Sequence, residues 1–211
     1  MYFLSRELYF PPVDEASPEG IVAIGGDLSP ERLLLAYRSG IFPWFEDDEP
    51  ILWWSPPERM VLHFDELKIS KSMRNILNRN MFRVTFNTAF ADVIANCRDI
   101  KRDGQQGTWI TDAMTEAYCT LHELGFAKSM EVWHGDDLVG GLYGIDMGHI
   151  FCGESMFSKM PNASKVAFIA LAKKLQQENY RLLDCQVHND HLESLGAREI
   201  LREDFLEVLK G

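Results

Sequence analysis

Residues 151–157 read Phe-Cys-Gly-Glu-Ser-Met-Phe, and residues 184–186 read Asp-Cys-Gln at the end of an apolar run. Both stretches are typical of β-strands that end in carboxylate or amide side chains. Side chains alternate along a strand, so Asp184 and Gln186 are predicted to share one face. If the two strands lie side by side, Glu154 joins them in one pocket. Such a pocket could hold an amine, orient it and accept its proton.

Length and composition restrict the class of protein. The 211 residues, 46% of them hydrophobic, are enough for one substantial core and a small accessory module. There is no apolar run of about eighteen residues, and no basic segment followed by an apolar stretch opens the chain. These patterns predict neither a membrane span nor a secretory signal, and we expect a cytoplasmic protein.

Four cysteines are spread along the chain in apolar or helical contexts: Cys97, Cys119, Cys152 and Cys185. Their spacing favours reduced core thiols over a disulfide framework. Cys185 lies near His188 and His191, which together resemble part of a zinc site. Because no fourth ligand lies at a suitable spacing, we predict no metal.

The net charge of −11 argues at first against a nucleic-acid partner. Its distribution changes that reading. Residues 67–91 contain no acidic residue and five basic ones, so this segment carries +5 and the remainder −16. The basic residues are Lys68, Lys71, Arg74, Arg79 and Arg83.

Helical spacing in this basic segment predicts an amphipathic helix. Lys68, Lys71, Arg74 and Arg79 then share one face, opposite an apolar face that includes Met73. One interpretation is that a basic helix of this kind is simply a solvated surface element. Its isolation in an acidic chain also fits contact with a phosphate backbone, which requires local rather than global charge.

The first sixty residues differ in composition from the rest. They hold most of the prolines and two aromatic clusters, at 42–45 and 53–54. One clear helix begins with Ser29 as N-cap and Pro30 at its first position, and it stops at Gly40. We predict a small N-terminal module over residues 1–60 and a second domain over 61–211.

Beyond residue 60, helical and strand patterns alternate. We predict the basic helix, a strand over 82–86, helices over 88–99 and 112–124, three strands over 129–134, 138–145 and 149–154, a helix over 163–178, a strand over 181–187 and a helical C-terminus. The predicted fold class is therefore α+β, with a mixed α/β sheet. No glycine-rich phosphate motif opens a helix, so no nucleotide cofactor is expected.

The order of these elements is similar to that of acyl-coenzyme A N-acetyltransferases. Residues 158–162, however, lack the glycine-containing run with which those enzymes bind pyrophosphate. Asn162 and Lys165, at the start of the next helix, could still hold one phosphate, although capping alone explains Asn162 equally well.

Ten short motifs, collinear over almost the whole chain, together resemble one family, the leucyl/phenylalanyl-tRNA protein transferases. Each motif alone is weak, but ten in order are specific. They are Ile24-Gly-Gly-Asp-Leu-Ser-Pro30, Gly40-Ile-Phe-Pro-Trp-Phe45, Leu52-Trp-Trp-Ser-Pro56, Gly107-Thr-Trp-Ile110, His122-Glu-Leu-Gly125, Glu131-Val-Trp133, Leu138-Val-Gly-Gly141, Phe151-Cys-Gly-Glu-Ser-Met-Phe-Ser158, Asn162-Ala-Ser-Lys165 and Asp184-Cys-Gln-Val187.

The resemblance implies a ribosome-independent peptide bond. Leu, Phe or Met passes from its tRNA to the N-terminal Arg or Lys of a protein, which marks that protein for degradation in the bacterial N-degron pathway. The resemblance also implies an acetyltransferase-like (GNAT-type) C-terminal domain that uses aminoacyl-tRNA in place of coenzyme A. Neither cofactor nor metal is implied.

By the resemblance, Asp184 polarises Gln186, which draws the proton from the attacking amine, while Glu154 helps to hold the reacting amines. For an arbitrary Asp-x-Gln, the alternative is that both residues merely satisfy a strand end. The five basic residues named above are candidates for contact with the tRNA backbone. The resemblance further implies a set of substrate-binding residues: Trp44 and Trp109 around the terminal adenosine and aminoacyl group, and Leu142, Phe151 and Phe157 around the amino-acid side chain.

Two other classes of function remain open from the sequence. An acyl-coenzyme A N-acyltransferase would bind coenzyme A tightly. A non-catalytic tRNA-binding or peptide-binding module would bind without turnover.

Overall fold

A computed structural model describes residues 2–46, 49–100 and 110–211. The first part of the chain forms a four-stranded sheet in the order β1-β2-β4-β3. Its elements are β1 (Tyr2–Leu4), β2 (Ile21–Gly25), α1 (Pro30–Arg38), β3 (Phe42–Pro43) and β4 (Leu52–Trp54).

The predicted ends of α1 are largely confirmed. Pro30 occupies the first turn, and Gly40 follows the helix with a φ of 73°, a left-handed conformation that favours glycine. Ser29 stands at the N-cap position, but its side chain makes no capping hydrogen bond. Instead its backbone N–H donates to Asp27 Oδ1 at 3.0 Å.

The remainder of the chain forms a seven-stranded sheet in the order β11-β5-β10-β9-β8-β7-β6. Its elements are β5 (Glu58–Leu62), α2 (Lys71–Asn78), β6 (Arg83–Phe86), α3 (Phe90–Asp99), α4 (Asp112–Glu123), β7 (Ala127–His134), β8 (Asp137–Asp146), β9 (Ile150–Ser158), α5 (Ala163–Gln177), β10 (Leu182–Gln186), α6 (Asp190–Glu193), β11 (Arg198–Leu201) and α7 (Arg202–Lys210).

One parallel pair lies at the centre of this sheet. Helix α5 crosses from β9 to β10, which run parallel, whereas the other neighbouring strands of the sheet are antiparallel. A crossover helix is the usual connection between parallel neighbours. This mixed sheet with helices on its faces confirms the predicted fold class.

The seven-stranded sheet packs against a hydrophobic core on each face. One core joins the first sheet and α1 to α3, α4 and α7. The other core lies under α5 and α2. The boundary predicted at residue 60 falls inside β5, whose strand partners are β10 and β11, and the division into two domains remains a proposal.

The basic helix is shorter than predicted. It begins at Lys71 because Ser70 caps it, its side chain accepting a hydrogen bond from the Met73 N–H at 3.2 Å. Lys68 therefore lies before the helix, and the prediction that it shares the helical face is wrong. Its N–H donates instead to the Leu195 carbonyl.

Over the part of the chain described above, no helix is long and apolar enough to cross a membrane.

Candidate active site

The site forms where two strands become irregular. Tyr143 and Gly144 of β8 pair with Ser155 and Gly153 of β9, so Glu154 is an extra residue in β9, a β-bulge. A second irregularity follows Asp184 in β10, where Gln186 takes a left-handed conformation with a φ of 61°. Bulges change the direction of side chains, and the side chains of Glu154 and Gln186 both turn towards the gap that opens beyond the β9–β10 pairing.

Glu154 is the centre of a polar network at this gap. Its Oε1 accepts a hydrogen bond from Gln186 Nε2 at 3.0 Å, and its Oε2 accepts one from the Tyr118 hydroxyl at 3.0 Å. The Tyr118 hydroxyl in turn contacts the hydroxyl of Tyr37, which lies on α1. The prediction that neighbouring strands bring Glu154 to Gln186 is therefore confirmed, whereas Asp184 is fully buried and does not line the pocket with them.

Asp184 contacts Gln186 through the backbone. Its Oδ1 accepts the Gln186 N–H at 2.9 Å, while the Gln186 side-chain amide turns to Glu154 instead. The Asp184 carboxylate also forms a buried ion pair with Arg59, and Nη2 and Oδ2 are 2.7 Å apart. Asp184 thus fixes the main chain from which the Gln186 side chain projects.

The pKa of Glu154 is raised to about 7. Burial is the main cause, because it disfavours the charged form, and the nearby Asp184 carboxylate adds to it. The Tyr37 and Tyr118 hydroxyls and Arg59 act in the opposite direction, since they stabilise the anion. A carboxyl group with this pKa can take up and release a proton near neutral pH.

A cavity of about 570 Å³ opens beside the network. Glu154 and Gln186 form part of its wall, and much of the rest is apolar. Its lining comprises Phe42, Pro43, Trp44, Leu142, Tyr143, Gly153, Glu154, Ser155, Met156, Phe168, Leu171, Leu183, Cys185, Gln186, Val187, Asn189, His191 and Leu192.

Two of the predicted substrate-binding residues line this cavity. Trp44, 41% exposed, forms part of the wall on the side of the first sheet. Its ring lies 5.8 Å from that of Trp54, whose Nε1 donates to the Trp44 carbonyl. Leu142 of β8 is buried and contributes an apolar surface. Trp109 lies outside the described residues.

Phe151 and Phe157 do not line the cavity, which corrects the prediction for both. Each is only 1% exposed, and each belongs to a different core. A regular strand would place residues six apart on one face, but the bulge at Glu154 adds one residue and sends the two rings to opposite faces. The apolar lining comes instead from residues including Met156 and Phe168.

The predicted basic residues remain on the surface. Lys71, Arg74 and Arg79 are exposed on or just after α2, and the Arg83 guanidinium lies over the Trp133 ring, 5.0 Å from its centroid. Met73, on the inner side of α2, packs into the core that also includes Leu142. The basic helix and the apolar part of the cavity therefore lie against the same core.

Potential metal ligands come together beside the site, and His188 is the one residue that this group shares with the candidates considered from the sequence. In the segments that the structure covers, the group comprises His188, Asp190 and Glu193, all exposed. Cys185 is buried, with its pKa raised by burial, and its thiol lies near the Leu183 carbonyl.

Arg59, Tyr37 and Tyr118 also belong to the site, although the sequence patterns did not predict them. One signal was present for Arg59, because it opens an apolar run in β5, and a buried arginine requires a partner. No comparable signal marks the two tyrosines, which lie on helices far apart in the chain and meet only through packing.

Comparison with known proteins assigns the chain to a family. A family model described as leucyl/phenylalanyl-tRNA protein transferase matches residues 61–210, and a model of the N-terminal domain of the same family matches residues 26–57. The chain belongs to the leucyl/phenylalanyl-tRNA protein transferase family. The predicted resemblance is confirmed.

Individual relatives agree with this assignment. Proteins named leucyl/phenylalanyl-tRNA protein transferase from Flavobacterium johnsoniae and Flavobacterium psychrophilum are 68% and 63% identical, each over the full length of both chains. The predicted enzyme class, an aminoacyltransferase, is thereby confirmed. Among solved structures, L-PGS from Bacillus licheniformis has a TM-score of 0.45 at 13% identity, covering 80% of this chain and 54% of that one.

Proposed function

We propose that this chain transfers Leu, Phe or Met from aminoacyl-tRNA to the N-terminal Arg or Lys of an acceptor protein, which creates an N-degron in the cytoplasm. One observation carries the proposal. The Glu154–Gln186 hydrogen bond lies on the wall of a mostly apolar cavity, so a proton acceptor and a pocket for an apolar side chain adjoin. Membership of the family supports the same chemistry.

The reaction is aminolysis of an ester. The α-amine of the acceptor attacks the aminoacyl carbonyl carbon, a C–N bond forms, and the C–O bond to the terminal ribose breaks. One proton leaves the amine nitrogen, and the ribose oxygen gains one. Because an aminoacyl ester is already activated, the protein needs to supply position and proton transfer, not ATP. Orientation can lower the activation barrier by up to about 7–11 kcal/mol. A general base typically raises the rate by ~10²–10⁴-fold, which is the smaller of the two effects.

In this scheme Glu154 accepts the proton that leaves the attacking amine, and Gln186 positions that amine. A carboxylate only accepts hydrogen bonds, so Glu154 turns the Nε2 end of the Gln186 amide towards itself. The carbonyl end of that amide is then the one that can accept a hydrogen bond from the attacking amine. A neutral amide does not hold a proton at neutral pH, whereas a carboxylate of pKa about 7 does.

This assignment refines the role that the family resemblance implies for Gln186. A free α-amine has a pKa of about 7.7–8.0, close enough to that of Glu154 for a proton to pass between them. Asp184 keeps its place in the scheme, because it holds the backbone N–H of Gln186. Asp184, Gln186 and Glu154 thus remain the proposed catalytic group, with proton transfer given to Glu154.

The cavity suits the proposed aminoacyl group. Leu142, Met156 and Phe168 offer an apolar wall, which favours the side chains of Leu, Phe and Met. These three amino acids are unbranched at Cβ, so a narrow entrance would disfavour Ile and Val, although one methylene is worth only about 1–3 kcal/mol of discrimination. Trp44 offers an indole ring on which the terminal adenine can stack.

The two parts of the chain then have separate roles. Residues 1–60 contribute Trp44 to the aminoacyl-adenosine site, and residues 61–211 contribute the catalytic group. The basic residues of and near α2 provide positive charge for the tRNA backbone. Helix α2 packs through Met73 against the same core that contains Leu142 and Phe168 of the cavity wall.

The test is a transfer assay with radiolabelled Leu-tRNA and Phe-tRNA. Acceptors are peptides that begin with Arg or Lys, the same peptides with an acetylated N-terminus, and one that begins with Asp. We expect RNase-resistant label only in the peptides with free Arg or Lys. Absence of label in every acceptor would refute the proposal, and transfer from acetyl-coenzyme A instead would assign the chain to acyl-coenzyme A chemistry.

A further inference from the structure

Arg59 is a fully buried arginine directly behind the catalytic group. It is 1% exposed, and it holds Asp184 with two parallel hydrogen bonds, from Nε to Oδ1 at 2.8 Å and from Nη2 to Oδ2 at 2.7 Å. Bidentate pairs of this kind fix orientation as well as distance. The Asp184 oxygen that receives Nε also accepts the Gln186 N–H.

The remaining contacts of the guanidinium reach two other parts of the fold. Nη1 donates to the Gly40 carbonyl at 3.1 Å, just beyond α1. The guanidinium carbon lies 4.7 Å from the centroid of the Phe42 ring and 4.5 Å from that of the Phe205 ring. Phe42 lines the cavity, and Phe205 belongs to α7. One planar group therefore connects the cavity wall, the C-terminal helix and Asp184.

Stability alone does not account for this arrangement. A buried ion pair gains little over apolar residues of similar volume, because desolvation offsets the attraction. Arg32, the other fully buried arginine of the described chain, shows a different pattern. It donates to the Ser5 and Glu7 carbonyls, and its acidic partner, Asp27, is half-exposed.

We propose that Arg59 is a positioning residue for aminoacyl transfer, acting on Gln186 through Asp184 and on the cavity wall through Phe42. Without Arg59, Asp184 loses the partner that aligns its Oδ1 with the Gln186 N–H. Gln186 then loses a restraint on its left-handed conformation, which non-glycine residues adopt only when their surroundings hold them there. Helix α7 contributes to this support because the Phe205 ring lies against the guanidinium.

This inference rests on the proposed function, and its test uses the transfer assay. The variants are Arg59→Met, Asp184→Asn, the double variant that combines both, and Arg32→Met as a matched control for the loss of a buried arginine. We expect Arg59→Met to lower kcat by about 100-fold, the size of effect that a small misplacement causes, while KM for aminoacyl-tRNA changes less than about threefold.

The double variant gives the decisive comparison. If Arg59 acts through Asp184, the two kcat losses are not additive, and the double variant is no slower than the slower single one. The double variant also removes both charges, so it stays testable if Arg59→Met alone fails to fold around an unpaired Asp184. Arg32→Met should lower the thermal midpoint and leave kcat unchanged.

The outcomes separate the two proposals. An inactive wild-type protein would refute the proposed function. An active wild type in which the double variant keeps the wild-type kcat, or in which the two losses multiply, would overturn the role of Arg59 alone. Loss of kcat in Arg32→Met equal to that in Arg59→Met would show that any buried arginine has this effect, which also overturns it.

Discussion

Gln186 Nε2 and Glu154 Oε1 lie 3.0 Å apart, in the gap that opens where β9 and β10 stop pairing. Parallel strands do not separate without a cause, and here each carries an irregularity at the residue concerned. The separation makes room for a ligand between β9 and β10, which are hydrogen-bonded to each other before this point. The two strand irregularities therefore determine where the site lies, and the side chains of Glu154 and Gln186 meet in the gap that they create.

The first prediction concerns this pair and its support. Asp184→Ala or Gln186→Ala should lower turnover by about 10²–10⁴, because the amine loses its orientation and its path to Glu154. Affinity for aminoacyl-tRNA should change little. Single-turnover rates measure the effect, with Gln177→Ala on the exposed end of α5 as the control. Near-wild-type rates in both variants would remove these residues from the chemistry.

The second prediction concerns pH. Glu154 must be ionised to accept a proton, so kcat/KM should rise with pH through about 7, the raised pKa of this group. A further rise at about 7.7–8.0 belongs to the acceptor amine. Glu154→Gln should slow the reaction and remove the first rise while leaving the second. If the profile of this variant keeps both rises, another group takes the proton.

The third prediction concerns stability. The pKa of Glu154 is about 7 in the folded protein against an ordinary value of 4.5, so folding favours the protonated form. Below pH 4.5 both states are protonated and the group costs nothing, whereas stability falls as pH rises from about 4.5 to about 7. Glu154→Gln removes this cost.

Urea unfolding at two pH values tests the third prediction. At pH 8 the free energy of unfolding of Glu154→Gln should exceed that of the wild type by about 1–3 kcal/mol, since each unit of pKa shift is worth about 1.4 kcal/mol and the cavity admits some solvent. At pH 4.5 the two should agree. A variant less stable than the wild type at pH 8 would contradict the prediction.

Local patterns in the sequence predict most of the regular elements. The pattern over 112–124 predicts a helix, and the helix spans Asp112–Glu123 because Thr111 caps it and Gly125 adopts the left-handed conformation after it. The strand predicted over 138–145 corresponds to β8. Such capping and alternation signals depend only on residues close together in the sequence, so they can be recognised without knowledge of the fold.

The site itself depends on events that local patterns do not record. The family resemblance implies that Phe151 and Phe157 both face the substrate, but the single extra residue at Glu154 sends their rings into different cores. Arg59 meets Asp184 across 125 positions of sequence, through a pairing of β5 with β10 that neither strand specifies alone. The residues proposed as catalytic could be predicted from the sequence, whereas the residues that hold them in place could not.

The fourth prediction concerns Trp44. Stacking of a base on an aromatic ring is worth about 1–3 kcal/mol, so Trp44→Ala should raise KM for aminoacyl-tRNA by about 5- to 150-fold. Trp44→Phe should recover part of the loss. Because the predicted partner is the terminal adenosine, the same loss should appear with a minimal substrate, phenylalanyl-adenosine. An effect on full tRNA but not on this substrate would place the terminal adenosine elsewhere.

The last prediction concerns the basic residues of α2. Lys71 and Arg74 are exposed, and no ion pair engages either within the described ranges. Their charges are therefore available to phosphates, which a protein that reads many tRNAs through a common 3′ end should contact in preference to bases. The variant Lys71→Ala/Arg74→Ala should raise KM for aminoacyl-tRNA.

Salt dependence distinguishes phosphate contact from an unspecific surface effect. Each lost contact should reduce the slope of log affinity against log salt concentration by about 0.7–0.9, so the double variant should lose roughly 1.4–1.8 in slope. Arg6→Ala, which removes an exposed charge near the first sheet, should leave the slope unchanged. Turnover at saturating tRNA should survive in all three proteins, because none of these residues reaches the catalytic group. If the slope of the α2 variant equals that of the wild type, α2 is a solvated surface and the tRNA binds another face.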